Sequence, residues 1–265
     1  MAAPSLDAEV SSPLLRIENL RVSFGGVQAL DGPSFAVDPG SICGLIGPNG
    51  AGKTTLFNCV SRLYSVDSGS ISFGGVDVLA LRRDQITGIG IARTFQNLGL
   101  FESMSVLENV MSGAYERTKA GCWTSLLSLP RVGIEEKRTR AAAMEVLEFL
   151  GLESVHSDLV SDLPFPTQKR VEMARSLMSS PRLLILDEPA GGLTHEEVDE
   201  LSDTILRIRA ERGVAVLLVE HHMGLVMKVS DSIVVLNFGQ KIAEGSPSEI
   251  RNDPAVIEAY LGSAA

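Results

Sequence analysis

The segment Gly47-Pro48-Asn49-Gly50-Ala51-Gly52-Lys53-Thr54 meets every fixed position of the pattern G-x-x-x-x-G-K-[ST]. Glycines let successive backbone N–H groups converge on one concavity, and a helix starting there adds the positive end of its dipole. These residue types therefore suit a chain of phosphates. Lys53 can reach the β- and γ-phosphates of a nucleoside triphosphate, and Thr54, with Thr55 beside it, can offer a hydroxyl to Mg²⁺. Two carboxylates, Asp187 and Glu188, close the apolar run Leu183 to Leu186. Asp187 is suited to holding Mg²⁺ through water. Glu188 is one residue on and points elsewhere, so it can polarise an attacking water as general base. His221 follows the run Val214 to Val219 and Glu220, where a histidine can hydrogen-bond a γ-phosphate and report its presence. Its neighbour His222 is read as structural or merely exposed.

The elements that must hold these groups can be read around them. Ser41 to Ile46 is an apolar run before the glycine loop, and Leu56, Phe57, Val60 and Leu63 follow at helical spacing, so the order is strand, loop, helix. Leu14 to Leu20 and Ser34 to Val37 suggest short strands on either side of a loop at Phe24-Gly25-Gly26, and Ile71 to Phe73 another. Leu183 to Leu186, Val214 to Val219 and Ile233 to Leu236 are continuous apolar runs, the pattern of parallel strands buried on both faces. Val198, Leu201, Ile205 and Ile208 mark a helix between the first two. The stretch from about 97 to 175 reads as mostly helical, with one helix near Val106, one over Glu135 to Leu150 stopped at Gly151, and one through Val171 to Met178. The fold class expected is α/β, a nucleotide-binding core at 14–96 and 176–245 with an antiparallel β part, a helical subdomain at 97–175 and a tail at 246–265 packed on the core. Residues 1–13 read as a disordered lead.

Composition narrows the function classes. The chain has 265 residues, 45% hydrophobic, with a net charge of −10. An acidic balance argues against broad nucleic-acid binding, which needs a basic face. The three cysteines, Cys43, Cys59 and Cys122, have no metal-ligand spacing, and a sparse odd count fits a reducing compartment. No apolar run approaches the roughly 18 residues that cross a bilayer. Met1 to Ser12 lacks the basic and apolar regions of a signal peptide. A protein of this kind working at a membrane must be held there by another subunit.

The phosphate loop, Gln96 within Arg93-Thr94-Phe95-Gln96, the strand ending in Asp187-Glu188, and His221 occur in an order that resembles the ATP-binding-cassette (ABC) ATPases over about Leu14 to Leu261. Phe24 to Leu30, Glu188 to Leu193, Val219 to Met227 and Ala255 to Gly262 resemble more narrowly the LivG-type subunits of branched-chain amino acid importers. The resemblance implies that Phe24 stacks on adenine, that Gln96 touches Mg²⁺ or the attacking water, and that His221 is a switch. It implies that the helical subdomain docks coupling helices of membrane permease subunits. It further implies that two ATPase subunits pair head to tail, as a homodimer or with a LivF-like partner, at the cytoplasmic face of the inner membrane. A solute-binding protein outside the membrane serves the same transporter. The cofactors implied are ATP and Mg²⁺.

The chain departs from that pattern where it would serve its partner's ATP. The family's signature, Leu-Ser-Gly-Gly-Gln, stands here as Leu163-Pro164-Phe165-Pro166-Thr167. Pro164 lacks a hydroxyl, and Pro166 lacks an N–H and biases Phe165 toward extended geometry. Thr167 retains both groups and could cap the following helix. Thr194 stands where the family usually has Asp or Asn. The expectation is an ATP-hydrolysing importer subunit in an asymmetric pair. Cargo other than hydrophobic amino acids (urea, amides or small organic acids), a regulatory subunit that binds without hydrolysing, and a non-transport ABC protein remain the alternatives.

Overall fold

The computed structural model describes residues 12–94, 98–114 and 130–261, without the side chains of 130–132 and 261. The expected lead (mostly), Gln96, Cys122 and Trp123 lie outside the described residues.

Strand β1 (Leu15–Phe24) buries Leu15, Ile17, Leu20 and Val22, a two-residue alternation that slips once near Asn19. Asn19 has φ +48°, a left-handed conformation that Asn tolerates, and its N–H donates to Ser34 Oγ at 2.7 Å. β1 runs past Leu20 into a tight Gly25-Gly26 turn and β2 (Val27–Asp31), so Phe24 pairs with Val27 across a hairpin rather than lying in a loop. Only Leu30 of β2 is buried, so the strand carries no apolar run. β3 (Phe35–Val37) also pairs with β1. After β4 (Ile42–Ile46), the strands β5 (Ser68–Phe73) and β6 (Val76–Asp77) complete this antiparallel sheet in the order β2-β1-β5-β6.

The second sheet carries the chemistry. It runs β11-β10-β4-β9-β8-β7, with β7 (Ile91–Arg93), β8 (Leu183–Asp187), β9 (Ala215–Val219), β10 (Ser232–Asn237) and β11 (Gln240–Gly245). Pairings among β10, β4, β9, β8 and β7 are parallel; β11 is an antiparallel edge. β4, β8 and β9 are buried at every residue, as their unbroken apolar runs require. They are adjacent, so their carboxyl ends open together, and ligand-facing loops of α/β sheets gather at such ends.

Helix α1 (Lys53–Val60) starts from the phosphate loop. Three α-helices lie in the middle of the chain among the described residues. α2 (Val106–Ser112) is capped reciprocally by Ser105 and Glu108. α3 (Pro130–Phe149) begins five residues before the expected Glu135, at a proline that suits a first helical turn. α4 (Phe165–Leu177) follows. α5 (His195–Arg212) links β8 to β9, α6 (Met223–Val229) links β9 to β10, and α7 (Pro247–Arg251) and α8 (Pro254–Leu261) form the tail, anchored by buried Ile250 and Val256. Two apolar layers lie on the two faces of the parallel sheet. One joins Leu45, Leu56, Phe57 and Ile185 to the antiparallel strands; the other joins Ile46, Leu184 and Leu218 to α2, α3, α4 and α5.

Candidate functional site

The phosphate loop is shaped by close approach. Gly47 has φ +150°, and a Cβ there would lie 2.1 Å from the Leu236 carbonyl oxygen, so no other residue fits without moving β10 or the loop. Gly52, at φ +102°, is the N-cap residue of α1 and lies against the Ala29 carbonyl. Pro48, Asn49, Gly50 and Ala51 span the turn between them, with Asn49 and Gly50 exposed and the Ala51 carbonyl accepting the Gly239 N–H at 3.0 Å. Lys53 is only 8% exposed, and its ammonium donates to the Gly47 carbonyl at 2.7 Å and the Pro48 carbonyl at 3.0 Å. Burial holds its pKa below the ordinary lysine value, and the carboxylates of Glu188 and Asp187 oppose that shift. Thr54 is exposed on the first turn of α1 and Thr55 is half-buried.

The ends of β8 and β9 add the acids and the histidine. Asp187 is 7% exposed and pairs with Arg93, the last residue of β7, at 2.7 Å. Arg93 also donates to Asn58 Oδ1 (2.8 Å) and Ser61 Oγ (3.3 Å), which ties α1 to the Asp187 strand. Glu188 turns out of β8 with φ +49°, a conformation that side-chain-bearing residues rarely adopt and that is concentrated at functional sites. Its N–H donates to the Val219 carbonyl at 2.9 Å. One Glu188 carboxylate oxygen lies 4.0 Å from His221 Nδ1, and the His221 ring is 65% exposed toward solvent. Lys53, Asp187, Glu188 and His221 therefore gather at the carboxyl ends of adjacent parallel strands, which makes that edge of the sheet the candidate nucleotide cleft. His222 belongs to the scaffold, as its residue type alone suggested: Nδ1 accepts the Leu225 N–H at 3.3 Å and caps α6.

Two residues with a place in this cleft were not singled out from sequence. In the sequence Arg93 stands only as a neighbour of Gln96, and nothing in its spacing foretells a buried ion pair. Glu220 is fully buried and accepts three backbone N–H bonds, from Ala190 (2.6 Å), His221 (3.0 Å) and His222 (3.1 Å). A charged residue at the end of an apolar strand was the only signal for it. Phe24, at the end of β1, is 46% exposed, and its ring meets that of Tyr64 in a T-shaped arrangement with centroids 5.1 Å apart.

The segment Leu163 to Thr167 differs from its sequence reading in two ways. Phe165 is helical, the first residue of α4, despite preceding a proline, and Pro164 is the N-cap residue. Thr167 does not cap the helix; it lies inside the first turn, where its N–H donates to the Pro164 carbonyl at 2.9 Å. Pro166 also sits in that first turn, where a missing N–H breaks no helical hydrogen bond. The half-buried Leu163 offers its carbonyl to the Gln168 side chain at 2.9 Å. The Phe165 ring covers Gly192, so the segment packs on the loop after β8. Thr194 caps α5 by reciprocal bonds with Glu197.

Comparison with known proteins gives this geometry its relatives. Residues 30–191 match the ABC transporter family, and residues 240–265 match the branched-chain amino acid ATP-binding cassette transporter family. The chain is 39% identical over 255 residues to the high-affinity branched-chain amino acid transport ATP-binding protein BraF of Pseudomonas aeruginosa, covering 96% of this chain and 100% of that protein. Identity to LivG of Escherichia coli (strain K12), which bears the same description, is 40% with the same coverage. Among solved structures, a nucleotide-free ATP-binding cassette from an ABC transporter superposes with a TM-score of 0.81 at 33% identity, covering 94% of this chain and 98% of that one. The ADP conformation of the cassette MJ1267 superposes with a TM-score of 0.82 at 31% identity, covering 94% and 99%. The fold is thus an ABC ATPase α/β core with an antiparallel β part and helices inserted between β7 and β8, and the chain belongs to the ATP-binding cassettes of the ABC transporter family.

Proposed function

We propose that this chain is the ATP-hydrolysing subunit that powers an importer of branched-chain or other hydrophobic amino acids. The observation that carries the reading is the convergence of Lys53, Asp187, Glu188 and His221 at the ends of three adjacent parallel strands, in a chain 39–40% identical to subunits described by that transport. The cleft suits ATP. The space a Gly47 Cβ would fill is closed by backbone, which fixes the loop, and the N–H groups of Lys53 and Thr54, which no helical acceptor uses in the first turn of α1, can turn to phosphate oxygens. Phe24, nearly half exposed, offers its ring to adenine. Hard oxygen donors on Thr54 and Asp187, joined by Gln96, suit Mg²⁺, which would neutralise charge developing between the β- and γ-phosphates. Glu188 orients and deprotonates the attacking water, and His221 hydrogen-bonds the γ-phosphate.

The second ATPase subunit, LivF-like, contributes its signature to this cleft, while Leu163 to Thr167 faces the partner's ATP. There Pro164 supplies no hydroxyl and Pro166 no N–H. Each lost preorganised donor costs on the order of 10²–10³ in rate, so the composite site served by this segment turns over slowly. Residues 97–175 meet the coupling helices of the permease, which hold the chain at the cytoplasmic face of the membrane. No described helix is long and apolar enough to cross a membrane.

The test is Mg²⁺-dependent ATP hydrolysis by the reconstituted complex carrying Glu188→Gln. A general base contributes about 10²–10⁴-fold, and the expected result is loss of most activity. Unchanged hydrolysis would show that the active site belongs to the partner, and would reverse the assignment of the two composite sites.

A further inference from the structure

Glu220 has a role that burial alone does not explain. Its two carboxylate oxygens serve two different loops. One oxygen accepts the Ala190 N–H, two residues beyond Glu188; the other accepts the N–H groups of His221 and His222. Because all three partners are donors, an acceptor-only carboxylate fits, whereas a carboxamide would turn its own NH₂ toward an N–H. The adjacent Pro189 carbonyl accepts the half-buried ammonium of Lys169 at 2.8 Å. Lys169 lies on the first turns of α4, with its ammonium 5.2 Å from the centre of the Phe165 ring, and Phe165 in turn covers Gly192. A continuous path thus runs from Phe165 through Lys169 to Pro189 and Ala190, and through Glu220 to the backbone of His221.

We propose that Glu220 is a positioning residue that fastens the Glu188 loop to the His221 loop, and that Lys169 extends this fastening to the segment facing the partner's nucleotide. The inference rests on the cleft's reading as an ATPase site. Glu220 touches no substrate. By fixing the two loops to each other it keeps His221 within 4.0 Å of Glu188, though the His221 ring itself is exposed and its position is set from the backbone. A displacement of the Ala190–Phe165 side, such as closure of the two subunits would bring, reaches His221 through the same carboxylate.

The experiment is Glu220→Gln in the assembled transporter, with ATP affinity, kcat and KM measured separately. Misplacement of a reacting group by about 1 Å can cost on the order of 10²-fold, so kcat is expected to fall by about that factor while binding of a fluorescent ATP analogue stays unchanged. Unchanged kcat, or parallel loss of affinity and kcat, overturns the proposal, since a merely structural carboxylate would weaken both together or neither. If Glu220→Gln does not fold, amide exchange in the natural protein decides. The Ala190, His221 and His222 amides are expected to exchange slowly and at one common rate, and to quicken together in Lys169→Met. Fast, unrelated exchange at the three would refute the fastening. A natural protein that hydrolyses no ATP would instead overturn the reading of the cleft, and the exchange measurement would still decide whether Glu220 joins the loops.

Discussion

Arg93 and Asp187 face each other across β7 and β8 at 2.7 Å, with side chains only 10% and 7% exposed. A buried ion pair adds little over an apolar pair of the same shape, but removing one partner strands a charge, at a cost of about 3–5 kcal/mol. Arg93→Met is therefore expected to lower the free energy of unfolding by about that amount in urea titrations. Arg93→Lys retains the charge but cannot span Asp187, Asn58 and Ser61 at once, and should fall between the two. A loss below about 1 kcal/mol for Arg93→Met would mean that the Asp187 carboxylate is solvated, not paired, in solution.

Gly47→Ala places a methyl carbon 2.1 Å from the Leu236 carbonyl oxygen. Either β10 or the loop must shift, and the loop, unlike β10, is not held by strands on both sides and is the softer of the two. Nucleotide affinity should fall by at least about 10²-fold, as titration with a fluorescent ATP analogue would reveal, while the far-UV circular dichroism stays that of the natural protein. Retained affinity would show that the loop's placement against β10 is not what shapes the phosphate cradle.

Much of this cleft was legible beforehand because its residues are tied to local backbone rules. Gly47 to Thr54 needs only its own spacing, and β4, β8 and β9 announce themselves as unbroken apolar runs. What escaped depends on partners distant in sequence. β2 and β11 are edge strands, exposed or half-buried but for Leu30, whose existence is decided by β1 and β10. Arg93 gains its meaning from Asp187, 94 positions on, and Glu220 from Ala190, 30 positions back. The reading of Thr167 as a cap failed because α4 begins two residues earlier, at Phe165, with Pro164 in the N-cap position.

Pro166 is comfortable in the first turn of α4 for the same reason that it is a poor donor: an N–H at that position has no helical acceptor. Pro166→Gly should therefore lower stability modestly, by about 1 kcal/mol, through greater freedom of the unfolded chain, while restoring an N–H at the position that the proposed pairing turns toward the partner's nucleotide. Hydrolysis by the purified chain is expected to rise, as a phosphate-release assay would register. If the natural protein already hydrolyses as fast as Pro166→Gly, the proline is harmless and a symmetric pair needs no intact second subunit.

The two described cysteines set an alkaline limit. Burial raises the Cys43 thiol to about 12 and the Cys59 thiol to about 11, from an ordinary value of 9.0. Above pH 9 the unfolded chain releases these protons while the native protein keeps them. The unfolded state then binds fewer protons, and stability falls as pH rises toward 11–12. Each thiol contributes about 1.4 kcal/mol of loss per pH unit within its window. Urea midpoints measured between pH 8 and 10.5 should decline, and Cys43→Ala should flatten the decline whatever it does to stability at neutral pH. In a Cys122→Ser background, the natural Cys43 and Cys59 should stay inert to a thiol reagent at pH 8 until the protein unfolds.

The parallel sheet lies between two apolar layers, and α2, α3 and α4 have no layer of their own: Val110, Leu147 and Val171 share theirs with Leu184 and Leu218 on the sheet's face. The helical part therefore cannot melt alone without wetting the strands that end in Asp187 and the His221 loop. Heat should unfold the chain as one cooperative unit, and any tilt of the helices that the proposed subunit pairing brings must be a slide over a greasy face that stays covered. The same feature makes thermal denaturation a faithful reporter of the cleft: a mutation deep under α3 would loosen the catalytic strands, though it lies far from any phosphate.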